Sequence, residues 1–286
     1  MNSLTTAFEE RGYRWAYRTV NSLSFLPQRR ERVFFVASAC DLEPEKVLFS
    51  DDARPVHSPT KLTTRAHGFY WTEGVRGLGW AADAVPTLKN GSTVGIPSPP
   101  AILLPSGKII KPDIRDAERL QGFAEDWTKP AEQVGRSSLR WSLVGNAVTV
   151  PVAAWLGRRL SQPGFYFSDL DMPWPTRTAW PKAARYDGQR RIAVNIGMHP
   201  VWKKRQPLHK FLRYDGALLS ARAAAGFLSR TKVSCLRFPP GFLEAVRAHL
   251  RTMERSPVAP NGSRPARGHS RRRAKTTHQL PLLAAE

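Results

Sequence analysis

Cysteine, acidic residues and long apolar runs are all scarce in this chain. Its 286 residues include two cysteines, Cys40 and Cys235, which lie far apart and have no metal-binding spacing. Two isolated thiols exclude a disulfide framework and are typical of a protein in a reducing compartment. The first residues lack the apolar core of a secretory signal, and no run approaches the roughly 20 apolar residues of a membrane helix. These absences predict a soluble, cytoplasmic protein that has no membrane partner and no metal.

The shortage of acidic residues makes the chain strongly cationic. It has 23 Asp and Glu against 44 Lys and Arg, which gives a formal net charge of +21. A surplus of this size attracts polyanions, of which nucleic acid is the usual one. The nine tryptophans, the 24 prolines and the 41% of hydrophobic residues predict a packed, loop-rich body, which argues against a ribosomal-type structural protein.

The first part of the chain predicts two strands next to a cluster of arginines. The sequence "YRWAYRTV" at 13–20 alternates aromatic and basic residues, which is typical of a half-buried strand. The sequence "RVFFVAS" at 32–38 is continuously apolar after its arginine and predicts a strand covered on both faces. Arg29, Arg30 and Arg32 crowd against this second strand, although arginine is costly to bury without a partner.

Composition and periodicity divide the rest of the chain. Residues 41–112 are rich in Pro, Gly, Ser and Thr and predict short strands and long loops, with a hairpin that turns near Ser106 and Gly107. The next segment predicts two helices, the first capped by Asp113 and ended by Gly122, and the second with Pro151 in its first turn. More helical stretches follow, and the last residues form a basic tail without apolar periodicity.

Three stretches in a fixed order carry the most specific signal. They are "PQRRERVFFVAS" with Gln28, Arg30 and Arg32, "PDIRDAERLQGFAEDW" around 115–123, and "LVGNAVTVPVAAWL" with 145–148. Together they resemble the last conserved blocks of the DNA (cytosine-5)-methyltransferases: a Gln-x-Arg-x-Arg block, an Arg-Leu-Gln block and a Gly-Asn-Ala/Ser-Val block. The second stretch departs from the family pattern at Asp116 and Ala117, where the family more often has an Arg-Glu pair.

The resemblance implies an α/β fold, namely the C-terminal part of a Rossmann-like methyltransferase core. It also implies a small irregular β recognition subdomain and a mixed α/β C-terminal extension. The predicted segments are the end of the catalytic core at 1–40, a short target-recognition region at 41–112, a bracing helix and a cofactor-pocket helix at 113–160, the extension at 161–256 and a disordered basic tail at 257–286.

The family flips its target cytosine out of double-stranded DNA, because C5 is out of reach inside the duplex. The resemblance implies that Arg32 lies at O2 of the flipped base, where it would stabilise negative charge on the ring. It implies that Arg30 and Gln28 hold the backbone of the flipped nucleotide and the neighbouring loops. The alternative for Gln28 is an ordinary turn residue.

The remaining predicted contacts concern the cofactor and the DNA. Gly145, Asn146, Ala147 and Val148 are implied to line the S-adenosylmethionine pocket, as a turn that opens a helix and offers backbone N–H groups; a packing turn is the alternative. Arg76 and Lys89 lie in loops of the recognition region that could reach base edges and phosphates, and a loop packed on its own tryptophans is the alternative. The basic stretch around 203–213 suits backbone contact, or is a solvated edge.

Three blocks of the family are not found in this sequence: a Phe-x-Gly-x-Gly cofactor loop, a Pro-Cys nucleophile pair and a Glu-Asn-Val block. Neither Cys40 nor Cys235 follows a proline, and both are predicted to be buried small apolar residues. We therefore expect a split-enzyme subunit of a restriction-modification methyltransferase, completed by a second polypeptide, or a truncated remnant. Without the thiolate the isolated chain is predicted to be inactive. The alternative from another class is a non-catalytic DNA-binding protein.

Overall fold

The computed structural model describes residues 1–55, 61–90, 99–136, 138–175 and 179–255. The predicted basic tail, 257–286, lies outside these residues. The helices are α1 Asn2–Glu9, α2 Pro44–Leu48, α3 Ile114–Gln121, α4 Ser138–Asn146, α5 Val150–Ser161, α6 Leu208–Phe211, α7 Ala221–Thr231 and α8 Phe242–Arg255. The strands are β1 Arg14–Asn21, β2 Gln28–Arg29, β3 Glu31–Ser38, β4 His67–Phe69, β5 Trp80–Ala82, β6 Val85–Pro86, β7 Ala101–Leu103, β8 Ile109–Lys111, β9 Asp171–Met172, β10 Ala183–Tyr186, β11 Arg191–Val194 and β12 Ala217–Leu218.

The first five-stranded sheet, which we call the core sheet, has the order β3-β1-β10-β11-β9. All of its neighbouring strands pair antiparallel. The strand β1, which lies between β3 and β10, is buried on both faces, with Trp15 and Tyr17 on one side and Ala16 and Val20 on the other. The prediction of a half-buried β1 is therefore wrong, because α2 and α5 pack on one face of the strand while Phe8 of α1, Trp174 and Trp180 pack on the other.

The strand β3 lies at the edge of the core sheet. The prediction that both of its faces are covered is wrong at the start of the strand, whereas Phe34 and Phe35 are half-buried against the clusters on opposite faces. Val36 is buried, but the side chain of Val33 is 51% exposed. An unbroken apolar run is compatible with a fully covered strand or with an edge strand, and the pairing partner decides between the two.

Arg18 in β1 is fully buried, and its guanidinium is satisfied by the loop that follows α2. It forms an ion pair of 2.8 Å with Asp52 and donates hydrogen bonds to the carbonyl oxygens of Leu48, Asp51 and Gly197. Burial lowers the pKa of Arg18 to about 10, although Asp52 and Asp51 oppose that shift. This cluster connects β1 to the predicted extension, because Gly197 lies three residues after the end of β11.

The second five-stranded sheet has the order β12-β8-β7-β4-β5 and is antiparallel throughout. The predicted hairpin is confirmed as β7 and β8, with Gly107 in its turn at a φ of +82°. The helices α7 and α8 cover this sheet, since Phe227 and Phe242 pack on Phe69. The extension therefore adds strands to both sheets.

The helix α3 connects the two sheets and is capped as predicted. The side chain of Asp113 accepts a hydrogen bond from the backbone N–H of Arg115, and Gly122 ends the helix in the left-handed region at a φ of +89°. The structure thus contains helices and sheets, as an α/β prediction requires. Its one parallel pair among the described residues is β2 with β6, so the Rossmann-like detail and the division into five segments stay predictions.

Candidate functional site

The Gln28–Arg32 segment lies where the two sheets meet. It leaves the core sheet after β1, pairs with β6 through β2, and returns to the core sheet as β3. The side chain of Asn21 accepts hydrogen bonds from the backbone N–H groups of Leu23 and Arg30, which fixes the bend between β1 and β2. Arg29, Arg30 and Arg32 therefore lie between the two five-stranded sheets.

Arg30 is buried and binds backbone carbonyl oxygens. Its guanidinium donates to Leu88 at 2.9 Å, to Gly145 at 3.2 Å and to Ala147 at 2.9 Å. No carboxylate pairs with it among the described residues, and burial, followed by the charge of Arg32, lowers its pKa to about 10. Two of the three acceptors lie at the C-terminal end of α4, where the helix dipole favours a cation.

Gln28 is also fully buried and connects the three sequence blocks. Its amide donates to the carbonyl oxygen of Leu120 at 2.8 Å and to the side chain of Gln121 at 3.1 Å, and it accepts from the backbone N–H of Leu88. Gln121 in turn accepts from Thr149 and donates to the carbonyl oxygen of Val144. The burial of Gln28 and Arg30 leaves no side-chain surface for a nucleotide, so it favours a positioning role over the predicted DNA contact.

The Gly145–Val148 block does not open a helix. Gly145 and Asn146 form the last turn of α4, and α5 begins at Val150, so the prediction of a helix N-terminus here is wrong. A Cβ at Gly145 would lie 2.3 Å from the backbone of Lys89 and Asn90, which explains the glycine by close packing. The sequence reasoning missed α4, because its apolar residues show no clear helical periodicity.

Asn146 and Val148 point outwards, and the side chain of Val148 is 55% exposed. Ala147 holds the turn to the core through its carbonyl bond to Arg30. The exposed amide of Asn146 can form hydrogen bonds and the neighbouring Val148 can make apolar contacts, as binding of S-adenosylmethionine would require. The block could therefore supply one wall of a cofactor pocket.

Arg32 differs from its neighbours because its guanidinium is exposed. One Nη donates to the carbonyl oxygen of Glu31 at 2.8 Å, and no acidic side chain pairs with Arg32 in the described part of the chain. The register places it opposite Val20, near the start of β3. Of the three predicted residues of this block, Arg32 is the one available to a ligand.

A cluster of cations surrounds the side chain of Tyr70, which directly follows β4. Lys89 lies 4.1 Å from the ring centroid of Tyr70 and 3.1 Å from the carboxylate of the buried Glu73. Burial raises the pKa of the Tyr70 hydroxyl, and the nearby charges of Arg29 and Arg32 oppose that shift. The hydroxyl donates to the carbonyl oxygen of Thr87. Lys89 is therefore partly neutralised, and Arg29 is an exposed cation beside it.

Tyr70 and Glu73 were not predicted from the sequence as neighbours of the arginine cluster, whereas Lys89 was named as a candidate DNA contact. The order of residues carried no signal for this, since Tyr70 and Arg32 are brought together by the β2–β6 pairing. Arg76 is exposed in the turn Val75–Gly77.

The basic stretch at 203–213 forms hydrogen bonds with residues of two other segments of the chain, Asp83 and Asp116. Arg205 donates to the carbonyl oxygen of Asp83 at 2.8 Å, and burial lowers its pKa. The side chain of Asp83 also accepts from the backbone N–H of Leu208, and the buried Asp116 accepts from the N–H of Arg213. Lys203, Lys204 and Lys210 in the same stretch are exposed.

Both cysteines are exposed, so the prediction that they are buried is wrong. Cys40 follows the C-terminal end of β3, whereas Arg32 lies near its start; at about 3.3 Å per residue this separates them by roughly 20 Å or more. The hydroxyl of Ser38 lowers the pKa of the Cys40 thiol. Cys235 lies between α7 and α8, which cover the other sheet. Neither thiol is therefore a neighbour of Arg32.

Metal sites and membrane spans are both absent from the described residues. These residues contain no group of three His, Cys, Asp or Glu side chains that could hold a metal ion. No helix among them is both long and apolar enough to cross a bilayer.

Comparison with known proteins finds a similarity to a curated methyltransferase. The chain is 45% identical over 239 residues to the Type II methyltransferase M2.BsuMI of Bacillus subtilis (strain 168). The match takes in 80% of this chain and 61% of the relative, so the chain spans about three fifths of the length of the curated relative that it matches. No family model matches, and no solved structure matches. The similarity supports the methyltransferase resemblance in its general form.

Proposed function

We propose that the chain is the part of a DNA (cytosine-5)-methyltransferase that holds the flipped cytosine and supplies one wall of the S-adenosylmethionine pocket. One observation carries the proposal. The three blocks, which span over 100 residues of sequence, meet in one buried hydrogen-bond network of Gln28, Gln121, Thr149 and Arg30. The similarity to a Type II methyltransferase gives that convergence its chemical interpretation.

The exposed guanidinium of Arg32 is suited to the anionic state of the reaction. Attack of a thiolate on C6 of cytosine would place negative charge on the ring and its O2. A fixed cation at O2 stabilises that charge more than it stabilises the neutral ground state, so it raises turnover. In this proposal Arg30 and Gln28 hold the frame on which Arg32 is placed, and they touch protein rather than DNA.

The cofactor would lie against the turn after α4. S-adenosylmethionine would supply the methyl group, and Asn146 and Val148 would contact it, because their side chains are exposed on a turn that Arg30 fixes. The remaining walls of the pocket, including the Gly-rich loop, would come from another polypeptide segment.

The DNA would lie along the cations that the structure exposes near Arg32. Arg29 and Arg76 are exposed, and Lys89 is half-buried beside Tyr70. Phosphate contacts from such side chains give affinity that falls with salt, whereas sequence is recognised by contacts with base edges. The proposed partner is double-stranded DNA in a restriction-modification system in the cytoplasm.

A second polypeptide is proposed to supply the nucleophile. Neither Cys40 nor Cys235 lies near Arg32, so the chain alone cannot form the covalent bond to C6. The same observation favours a second candidate function, a DNA-binding remnant that has lost the chemistry. A remnant would bind DNA with strong salt dependence and would gain no activity from any partner.

Methyl transfer from labelled S-adenosylmethionine separates the two functions. The chain would be assayed alone and with the remaining segment of the Bacillus subtilis relative, expressed as a separate polypeptide. We expect transfer to DNA from the mixture and none from either part alone.

Arg32→Ala in the mixture should lower turnover about 100-fold, the usual size for one preorganised charge, while DNA binding changes less than about threefold. Arg251→Ala is the matched control, since it removes an exposed arginine of α8, away from β3. Equal losses of turnover and binding in Arg32→Ala would refute the role at O2.

A further inference from the structure

Lys89 differs from the exposed arginines near it because it has a buried counter-ion. Its ammonium lies 3.1 Å from the carboxylate of Glu73; the side chain of Glu73 is 5% exposed, and that of Lys89 is 35% exposed. Arg29 and Arg76 are exposed, and no acidic side chain pairs with either of them in the described part of the chain. Lys89 and Glu73 therefore form a pair without net charge on the surface along which the proposed DNA lies.

The ring of Tyr70 restrains Lys89 a second time. The ammonium lies 4.1 Å from the ring centroid. The ring is itself fixed, because the hydroxyl of Tyr70 donates to the carbonyl oxygen of Thr87 at 2.8 Å. An exposed lysine normally has a flexible stem that can follow a phosphate. A lysine held over a ring and beside a carboxylate keeps its ammonium in one place.

Two glycines leave the space that this arrangement needs. A Cβ at Gly77 would lie 3.1 Å from Oε2 of Glu73, and a Cβ at Gly79 would lie 3.3 Å from the ring of Tyr70. These distances are shorter than the optimal separation of non-bonded atoms. A larger residue at either position would therefore displace the carboxylate or the ring, so the chain fits closely around both partners of Lys89.

The backbone before Lys89 is held by the network that connects the three sequence blocks. The backbone N–H of Leu88 donates to the side chain of Gln28 at 3.1 Å, and its carbonyl oxygen accepts from Arg30 at 2.9 Å. The same segment of chain continues into Arg32. A base that contacts Lys89 would therefore lie at a fixed position relative to a base that is held by Arg32.

A pair without net charge is suited to a base edge and unsuited to a phosphate. A phosphate bound to the ammonium of Lys89 would lie close to the carboxylate of Glu73, and like charges at short distance repel each other. Guanine presents two uncharged acceptors, O6 and N7, in the major groove, and donation to them by arginine or lysine is the commonest specific contact. The carboxylate orients the donor without repelling such a base.

We propose that Lys89 is a specificity-determining residue that donates to a guanine close to the flipped cytosine, and that Glu73 and Tyr70 position it. Arg29 and Arg76, which have no such counter-ion, contact phosphates and supply affinity without sequence preference. This inference rests on the proposed function, because it requires double-stranded DNA that contains a flipped cytosine.

The test measures base preference and salt dependence of DNA binding on the same samples. The full chain, alone and mixed with the segment of the Bacillus subtilis relative outside the matched residues, is incubated with a random library of double-stranded DNA, and the bound molecules are sequenced. The slope of log affinity against log salt concentration is then measured on one selected duplex. For the unaltered chain we expect guanine at one position to be preferred at least about fivefold over the other bases.

Two variants separate base contact from phosphate contact. The double variant Lys89→Met, Glu73→Gln removes both charges at nearly constant side-chain size, so it should fold, which thermal unfolding checks. It should lose the preference for guanine at that position, while the salt slope changes by less than about 0.3. Glu73→Gln alone releases the ammonium, so the slope should become steeper by about 0.9 while the guanine preference falls. A purely structural ion pair predicts neither result.

Two exposed cations serve for comparison. Arg76→Ala removes a proposed phosphate contact and should make the slope less steep by about 0.9 without changing any base preference. Lys232→Ala removes an exposed lysine directly after α7 and should change neither quantity. A slope less steep by about 0.9 in the double variant, with the guanine preference intact, would overturn the inference, because Lys89 would then be a phosphate contact.

Methylation by the mixture separates this inference from the proposed function. The methylated positions are located by bisulfite sequencing. Methylation of the same sites by mixtures that contain the unaltered chain or the double variant would overturn the inference and leave the function standing. Loss of the guanine preference in the double variant, without methylation by any mixture, would support the role of Lys89 and count against the function. A wild-type chain without a guanine preference, alone and in the mixture, would overturn the inference.

Discussion

Replacing Arg30 by alanine should destabilise the protein far more than replacing Arg32, two residues away. Arg30 donates three hydrogen bonds to buried carbonyl oxygens, which belong to Leu88, Gly145 and Ala147. Without the guanidinium these acceptors have no partner, and an unsatisfied buried polar group costs about 1–3 kcal/mol. Part of that cost is offset, because the substitution also removes the desolvation penalty of a buried guanidinium that has no carboxylate partner. We expect a decrease of about 3 kcal/mol in the free energy of unfolding.

The decrease is measured by urea and thermal unfolding of the full chain. For a chain of this size, about 3 kcal/mol corresponds to a decrease of about 6–12 °C in Tm and of about 1 M in the urea midpoint. Arg30→Lys should recover less than half of the stability, because a single ammonium group cannot match the fork of the guanidinium. Arg32→Ala is the control and should cost less than about 0.5 kcal/mol, since its side chain is exposed. Equal effects of Arg30→Ala and Arg32→Ala would refute the positioning role of Arg30.

Three further perturbations test other parts of the structure. The buried carboxylate of Glu118 accepts hydrogen bonds from the backbone N–H of Thr128 and from Arg140, which also pairs with Asp126 and Glu132. Glu118→Gln should cost about 2 kcal/mol in urea unfolding, because it removes the one buried negative charge that faces Arg140 and leaves the two more exposed ones; no change would show that this ion cluster does not stabilise the fold. His67 is buried and burial lowers its pKa below 6.5, so the unfolded state binds more protons and stability should fall as the pH decreases through 6.5, by up to about 1.4 kcal/mol per unit. His67→Leu should flatten that slope in unfolding at pH 5.5–7.5, and an unchanged slope would contradict the assignment. Deleting 257–286 should make the dependence of DNA binding on salt less steep, by about 0.9 for each phosphate that the tail neutralises, without changing sequence preference, and an unchanged slope would exclude the tail from DNA binding.

The sequence predicted those parts of the fold that depend on local signals. The capping residues Asp113 and Gly122 bound α3, and the glycine turn at Gly107 joins β7 to β8. The missed features depend on distant pairing. The strand β1 lies inside the sheet and β3 at its edge because β10 pairs with β1, and no local pattern connects β10 to β1.

In the candidate site, too, local sequence signals were predictive, whereas contacts between distant segments were missed. Residue type identified Arg32, but it did not distinguish the buried Gln28 and Arg30 from an exposed residue, because their partners are mostly backbone carbonyl and N–H groups that no sequence motif reveals. The close approach of Gly145 to Lys89 and Asn90 likewise needs two segments that are distant in sequence. The proximity of Arg32 to Tyr70 depends on the pairing of β2 with β6, which no sequence motif reveals.

Mass spectrometry of nucleosides from a methylation-free bacterial host tests the proposed chemistry most directly. The host would express this chain, the remaining segment of the relative, or both. We predict 5-methylcytosine when both are present, none with either alone, and none when the chain carries Arg32→Ala. Methylated DNA from the chain alone, or methylation of an exocyclic amino group in place of C5, would contradict the proposed function.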